Sequence, residues 1–192
     1  MTETNSDDLK SELDEQMASA GITGNSNQET TGETQKFLTF ILKDENYGID
    51  ILTVREIIGY MDVTPVPQTP DFVKGVVNLR GKVIPVINLR QKFGMEEIEV
   101  TNETCIIVVE VDFTADDETN TVQMGIVVDT VEEVLDIPVD NIDPAPNFGG
   151  EIDTEYIEGM GKVDENVVIL LNIDKVLTEE ELVALQEVSD DT

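Results

Sequence analysis

An internal repeat constrains the fold of this chain more than any other feature, because two blocks recur in the same order. The first block recurs with identical spacing: Gly48-Ile49, Val54 and Glu56-Ile57 match Gly125-Ile126, Val131 and Glu133-Val134. So does the second: Phe72-Val73-Lys74-Gly75 and Val86-Ile87-Asn88-Leu89 match Tyr156-Ile157-Glu158-Gly159 and Leu170-Leu171-Asn172-Ile173. Self-similarity at fixed spacing indicates two copies of one structural unit. The chain should therefore contain two similar subdomains.

Short apolar runs rich in β-branched residues alternate with turn signals from Phe37 onward, a pattern typical of strands. Each repeat holds about five such runs over roughly 70 residues, which is enough for a small closed barrel. We predict a mostly β protein made of two similar, intertwined five-stranded barrels, with their boundary near residues 95–105. Their apolar faces should pack together, since neither barrel alone buries enough surface to be very stable.

The two ends of the chain differ from this β-rich region. Residues 1–35 are polar and acidic, so we predict a flexible tail there and a folded domain over 36–187. Near the other end, Thr178 followed by Glu181 matches a capping box, and the pattern predicts a helix over about 178–188. The acidic stretch from Asp112 to Asn120 is interpreted as a mobile hairpin loop.

The charge of the chain limits its partners. Against 42 acidic residues there are 11 basic ones, which gives a formal net charge of −31. Non-specific binding to nucleic acid or to an anionic membrane is therefore disfavoured, and most carboxylates should form a solvated surface. Self-repulsion weakens when salt screens it, so we hypothesise a salt-rich, halophile-like cytoplasm. The sequence shows no secretory signal and no apolar run of membrane-spanning length, which predicts a cytoplasmic protein without membrane insertion.

Few residues are suited to catalysis. The chain has no His, and Cys105 lies inside an apolar run where a buried thiol is expected. Histidine-based triads and metal sites are therefore excluded, and no phosphate-binding glycine loop is present. We predict no enzymatic activity, no cofactor and no metal. Paired carboxylates are weak evidence for catalysis here, because so acidic a chain contains many of them.

One segment reverses the general charge. No acidic residue occurs from Phe72 to Met95, a segment that holds five of the eleven basic residues: Lys74, Arg80, Lys82, Arg90 and Lys92. This cationic segment has two interpretations. Its side chains either neutralise acidic neighbours within the fold or meet an acidic partner, where complementary charge sets register and encounter rate.

Within the cationic segment, Asn78-Leu79-Arg80-Gly81 is typical of a turn between two strands. An Arg placed there projects five donors in a rigid fork toward a partner's carboxylates or carbonyl groups. The second repeat has Lys162-Val163-Asp164-Glu165-Asn166 in the corresponding region, without an Arg. Arg80 is therefore the leading candidate for a functional side chain.

Several motifs together resemble the CheW family over about residues 36–187. They are Tyr47-Gly48-Ile49-Asp50-Ile51, Val54-Arg55-Glu56-Ile57, Phe72-Val73-Lys74-Gly75-Val76-Val77-Asn78-Leu79-Arg80-Gly81, Ile84-Pro85-Val86-Ile87-Asn88-Leu89-Arg90 and Gly125-Ile126-Val127-Val128-Asp129. The string that ends in Asn78-Leu79-Arg80-Gly81 is the most specific of them.

The resemblance implies a pair of SH3-like five-stranded barrels that act as a non-enzymatic adaptor in chemotaxis signal transduction. Such an adaptor couples the cytoplasmic tip of a methyl-accepting chemotaxis receptor to the CheW-like regulatory domain of the histidine kinase CheA, in arrays at the membrane. The positions implied in receptor binding are Arg80, Glu56, Asn78, Leu79, Gly81 and Lys74. The positions implied in kinase binding are Val54 and Gly75.

Other interpretations remain open at this point. The chain could be the CheW-like part of a docking protein, although it ends at Thr192 without room for a receiver domain. It could serve a related pathway that controls pili or development. A carboxylate hydrolase would show perturbed carboxyl groups in a cleft. An oligonucleotide-binding barrel would need more aromatic residues than the 5% present here.

Overall fold

The computed structural model describes residues 32–145 and 155–190. Within these residues the strands are β1 (Thr34–Leu42), β2 (Glu45–Asp50), β3 (Val54–Gly59), β4 (Val73–Leu79), β5 (Lys82–Asn88), β6 (Cys105–Ala115), β7 (Glu118–Val128), β8 (Thr130–Pro138), β9 (Ile142–Asp143), β10 (Ile157–Val163) and β11 (Asn166–Leu171). The α-helices are α1 (Leu89–Lys92), α2 (Ile173–Val176) and α3 (Glu179–Asp190), and 3₁₀ turns lie at Ile51–Thr53 and Val139–Asn141.

These strands form two curled sheets, which we call barrel 1 and barrel 2. Barrel 1 has the order β8-β1-β2-β11-β10-β9, and barrel 2 has the order β3-β6-β7-β5-β4. Barrel 1 closes because β9, which follows β8, pairs with β10. Barrel 2 closes where Thr64, after β3, bridges to Val76 in β4. The predicted mostly β fold of two small barrels is confirmed.

The predicted boundary near residues 95–105 is wrong, because that segment joins α1 to β6 within barrel 2. Barrel 2 is one continuous stretch from β3 to β7. Barrel 1 combines β1 and β2 with β8 to β11, so barrel 2 is inserted into barrel 1. β3 of the first repeat is equivalent to β8 of the second repeat. β3 pairs with β6 of the second repeat, whereas β8 pairs with β1 of the first repeat. The two repeats are therefore intertwined.

The repeat is visible in the hydrogen bonds of equivalent elements. β4 and β5 pair with a bulge at Val73–Gly75, and β10 and β11 pair with the same bulge at Ile157–Gly159. The backbone N–H of Asn88 donates to Phe72 O at 2.7 Å, and that of Asn172 donates to Tyr156 O at 2.8 Å. Each Asn side chain then caps the short helix that follows, α1 or α2.

Three apolar clusters stabilise this arrangement. One lies inside barrel 2 and includes Val86 and Ile106, and another lies inside barrel 1 and includes Phe37 and Leu170. The largest contains buried residues from both barrels and from α3. Apolar burial contributes roughly 25 cal/mol per Å², so this shared cluster is what fixes the two barrels against each other. Four stacked rings span the junction: Phe40, Tyr47, Phe93 and Tyr156.

The ends and the acidic hairpin show three further outcomes. β1 begins at Thr34, inside the segment predicted as a tail, and residues 1–31 of that predicted tail lie outside the described residues. The capping box is confirmed, since the N–H groups of Glu181 and Thr178 each donate to the other's side chain at 3.2 Å. The predicted loop over 112–120 is wrong. β6 and β7 continue to a two-residue turn at Asp116-Asp117, because Val111 and Phe113 are buried and hold the ribbon in place.

Candidate protein-binding site

The β4–β5 turn presents Arg80 at one end of barrel 2. Arg80 and Gly81 both have positive φ, 53° and 85°, which is the geometry of a tight two-residue hairpin turn. The side-chain Oδ1 of Asn78 accepts a hydrogen bond from the Gly81 N–H at 2.9 Å and fixes this conformation. A positive φ is unusual for Arg, and such conformations cluster at functional sites. The predicted turn is confirmed, and 72% of the Arg80 side chain is exposed.

Arg80 forms a bidentate ion pair with Glu56. Its two terminal nitrogens donate to the two carboxylate oxygens at 3.1 and 2.9 Å. Glu56 is on β3 and Arg80 follows β4, two strands at opposite ends of the sheet order. The curl of the sheet therefore brings together two residues that are distant in sequence, and their ion pair joins the two edges of the barrel.

A bulge in β3 turns two consecutive side chains outward. The register with β6 shifts between Val54 and Glu56, so Arg55 and Glu56 both leave the core while Val54 and Ile57 remain buried. Arg55 pairs with Glu110 on β6 through two hydrogen bonds of 3.0 and 2.7 Å. The hydrogen bond to Glu110 raises the pKa of Arg55, and the same bond lowers the pKa of Glu110.

The polar contacts continue across the next two strands. Gln123 on β7 donates to Glu110 at 3.3 Å, and Lys82 on β5 donates to Gln123 at 3.0 Å. Sequence reasoning missed Arg55, Glu110 and Gln123. The position of Arg55 beside Glu56 was the available signal, but nothing local in the sequence links β3 to β6 and β7.

The other cations of the segment mostly neutralise acidic neighbours within the fold. Lys74 pairs with Glu97, Arg90 with Asp129, and Lys92 with Glu181. Each of these three cations is largely covered, and burial lowers the pKa of Lys74. Lys92 also lies 4.7 Å from the ring centroid of Phe72. The neutralising interpretation therefore describes these three residues, and Arg80 stands apart from them.

The Arg90–Asp129 pair connects the two barrels. Arg90 donates to the carboxylate at 2.7 and 2.6 Å, and the backbone N–H of Lys43 in barrel 1 donates to it at 3.0 Å. Burial opposes ionisation of Asp129, but the hydrogen bonds from Arg90 and Lys43 hold its pKa below the usual range. Hydrogen bonds between charged groups are the strong ones, so this buried pair fixes the crossing from β7 to β8.

The remaining predicted binding positions are either buried or part of the exposed turn. Val54 is 0% exposed, and Gly75 is buried at φ 140°, where an added Cβ would meet the Thr64 carbonyl oxygen. Neither position offers an exposed side chain to a partner, and the kinase contact of Val54 and Gly75 stays a prediction. Leu79 is half-buried and packs on the barrel 2 cluster. Asn78 and Gly81 shape the turn that carries Arg80.

Other potentially reactive groups are buried or dispersed. Cys105 is buried, and burial raises the pKa of its thiol above the usual range. In the part of the chain that the structure describes, no three His, Cys, Asp or Glu side chains are placed to hold a metal ion. No helix among residues 32–145 and 155–190 is long and apolar enough to cross a lipid bilayer.

Two intertwined barrels with an exposed polar site define a class of protein-binding scaffold modules. Residues 36–181 match the family model of the CheW-like domain, and the chain belongs to the CheW family. It is 43% identical to the chemotaxis protein CheW of Klebsiella aerogenes over 82% of this chain and 92% of the relative. It is 36% identical to the chemotaxis protein CheW of Helicobacter pylori over 83% and 89% of the two chains.

A solved structure and a more distant relative agree with this assignment. The crystal structure of the scaffolding protein TtCheW from Thermoanaerobacter tengcongensis matches with a TM-score of 0.66 and 34% identity, covering 78% of this chain and 96% of that one. The protein FrzA of Myxococcus xanthus is 32% identical over 74% of this chain and 85% of its own length. The chain is thus a scaffold-type coupling protein of chemotaxis.

Proposed function

We propose that this protein couples the cytoplasmic tip of a methyl-accepting chemotaxis receptor to the histidine kinase CheA, in cytoplasmic complexes recruited to receptor arrays. The observation that carries the proposal is the exposed Arg80 guanidinium, held by Glu56 at the end of barrel 2. An exposed Arg fixed by a bidentate pair is preorganised to recognise a partner, since little side-chain freedom is lost on binding.

In this proposal the receptor meets the end of barrel 2 and the groove beside it, and the CheW-like regulatory domain of the kinase meets a barrel face. The adaptor performs no chemistry. It holds receptor and kinase in a fixed geometry, so a conformational change in the receptor shifts the kinase between states that the assembly binds with different affinity. The shared apolar cluster and the Arg90–Asp129 pair provide the rigidity that such coupling needs.

The buried positions Val54 and Gly75 contribute indirectly. The Val54 side chain lies on the core side of the β3 bulge. Gly75 leaves room for the Thr64 backbone, whose bridge closes barrel 2. We propose that substitutions there disturb kinase coupling through the shape of β3 and β4. Lys74, next to Gly75, is tied to Glu97 and stabilises the same edge.

The test is binding of purified Arg80→Glu to a soluble receptor fragment, measured by calorimetry at low and at molar salt. The reversed charge faces Glu56 and loses the fork, so we expect affinity to fall at least tenfold, as for other charged interface anchors. Lys162→Glu is the matched control, because it removes the exposed Lys162–Asp143 pair of barrel 1. Unchanged affinity with a native circular dichroism spectrum would contradict the receptor site.

The kinase side needs its own measurement. Titration of the wild-type protein with the CheA regulatory domain should give saturable one-to-one binding at one salt concentration or both. Absence of binding at both salt concentrations would mean that the CheW fold serves another partner in this protein.

A further inference from the structure

Polar side chains form a belt at the end of barrel 2 that carries the β4–β5 turn. The belt consists of Arg80, Glu56, Arg55, Glu110, Gln123 and Lys82. Arg80 is bonded to Glu56, Arg55 to Glu110, and Glu110 through Gln123 to Lys82. These two bonded groups are neighbours in the sequence, because Arg55 adjoins Glu56 on β3 and Lys82 follows the turn that holds Arg80. The belt therefore has members on β3, β6, β7 and β5 and in the β4–β5 turn.

The belt presents its cations outward and its carboxylates inward. The side chains of Arg80 and Arg55 are 72% and 47% exposed, while those of Glu56 and Glu110 are 15% and 28% exposed. Each Arg uses two of its five donors on its own carboxylate, so further donors of each guanidinium point to solvent. A partner approaching this end of a strongly acidic protein thus meets two fixed guanidinium groups first.

Barrel 1 shows that the fold does not require such a belt. At the repeat-equivalent positions the sequence has Asp164, Glu133, Glu132, Ile41, Asn46 and Asn166, which include three acidic residues and no cation. β8 has the equivalent bulge at its two Glu residues, so the backbone is shared. Because the same scaffold forms without cations, the alternation of charges in barrel 2 calls for a role outside folding.

We propose that Arg55, positioned by Glu110, is a second cationic anchor beside Arg80, and that the belt binds an acidic helical segment carrying two carboxylates. This inference rests on the proposed function and names the chemistry of the receptor surface at the same site. Guanidinium groups bind carboxylates in bidentate geometry, and two anchors, one on each side of Glu56 in the belt, fix the register of a helix as one anchor does not.

The test compares Arg55→Gln with Lys162→Gln, a matched control that removes the exposed cation of the Lys162–Asp143 pair in barrel 1. Binding to the soluble receptor fragment is measured over a series of salt concentrations. We expect Arg55→Gln to bind roughly tenfold more weakly and with a shallower salt dependence, since it removes a charged contact to an acidic partner. Lys162→Gln should bind like the wild type.

The positioning role of Glu110 is tested by a double-mutant cycle. Glu110→Gln should weaken binding roughly threefold when Arg55 is present and should have no effect in the Arg55→Gln background, as expected for residues acting as one unit. A purely structural role would instead lower the urea midpoint and leave the effects on binding additive. Either additive effects or a midpoint shift that accounts for the loss would overturn the role of Glu110.

The outcomes separate this inference from the proposed function. If Arg80→Glu abolishes receptor binding while Arg55→Gln matches the Lys162→Gln control, the second anchor is refuted and the receptor site stands. If neither variant alters binding, the receptor site itself is refuted. Weaker binding with an unchanged salt dependence would refute the acidic character of the partner segment.

Discussion

The β4–β5 and β10–β11 hairpins have the same strand pairing and opposite charge. Both are bulged strand pairs closed by a two-residue turn, and the first turn residue has a positive φ in each, 53° at Arg80 and 55° at Asp164. The second turn residue has a positive φ only in the β4–β5 turn, where Gly81 is at 85°. One turn carries an Arg that is paired with Glu56, and the other carries two carboxylates, those of Asp164 and Glu165. The difference shows which features the fold needs and which it leaves free, since the strand pairing and the two-residue length of the turn are kept and the charge of the turn is not.

The contrast extends to two other repeat-equivalent pairs. Lys74 and Arg90 in barrel 2 correspond to Glu158 and Asp174 in barrel 1. Arg90 lies against an opposite charge, whereas burial and the nearby Asp50 raise the pKa of Glu158. Burial and the charge of Asp112 likewise raise the pKa of Asp174, against the backbone N–H of Asp112, which lowers it. Barrel 2 therefore balances its charges locally and barrel 1 accumulates negative charge.

The largest expected effect on stability distinguishes two repeat-equivalent glycines, Gly75 and Gly159. Gly75 has φ 140°, and a Cβ there would overlap the Thr64 carbonyl. Gly159 is the equivalent position without that conformation, where a Cβ would lie 2.8 Å from Asp143 O. Gly75→Ala should lower the free energy of unfolding by about 3 kcal/mol, since both backbone strain and a displaced bridge contribute. Urea titration checks this, and an equal loss for Gly159→Ala would contradict the strain argument.

Smaller effects on stability are expected for Asp129→Asn and Asp174→Asn, and the two effects have opposite signs. Asp129→Asn breaks the buried pair and should cost about 2 kcal/mol at neutral pH, within the range for hydrogen bonds to charged groups. Because the folded pKa of Asp129 is depressed, its stabilisation is present above its unfolded pKa of about 3.9 and is lost as pH falls through the folded value. The difference between wild type and variant should therefore shrink in acid.

Asp174 should behave in the reverse way, because its folded pKa is raised. Its ionised form destabilises the fold at neutral pH, and this destabilisation disappears as pH falls below the unfolded pKa. Asp174→Asn should be slightly more stable than the wild type at pH 7 and indistinguishable from it in strong acid. Thermal unfolding of both variants from pH 3 to pH 8 measures the two signs, and parallel pH profiles would refute the contrast.

The smallest effect sharpens the comparison of the turns. Asp164→Arg gives the β10–β11 turn a cation at the position equivalent to Arg80, and Glu133 occupies the position equivalent to Glu56. An exposed ion pair contributes about 0.2–1 kcal/mol, so stability should rise by a few tenths of a kcal/mol at low salt. The variant combined with Arg80→Glu should not recover receptor binding, because barrel 1 lacks the rest of the belt. Recovered binding would show that one exposed Arg on either barrel is sufficient.

Much of the fold could be predicted because the repeat and the alternating apolar runs are local signals. The intertwining of the barrels was also predicted, but the exchanged strands, β3 and β8, could not be identified, since Val54 and Val131 present the same pattern and either strand fits either sheet. The extended β6–β7 hairpin was missed for a related reason. Acidic residues on its outward face suggested a loop, while Val111 and Phe113 were buried by contacts from distant parts of the chain.

The site was predictable only where its signal was contiguous. Arg80 stands out as an Arg before a Gly in a charge-reversed segment, and the family resemblance adds Glu56. Glu110 and Gln123 belong to the belt because β6 and β7 lie beside β3 in the curled sheet. The spacing of residues in the sequence does not show which strands are neighbours. Val54 and Gly75 illustrate the converse, because the resemblance marks them as binding positions and the structure shows that both are buried in strands.

The insertion of barrel 2 into barrel 1 has a consequence for synthesis on the ribosome. β3 to β7 are contiguous, so barrel 2 can close as soon as β7 has emerged, and domains generally fold as units while the chain is being made. The β1–β2 hairpin appears earlier but waits for β8 and β11, with both of its edges unpaired. Unpaired edges invite wrong partners, so the first strands translated are the last to gain protection from aggregation.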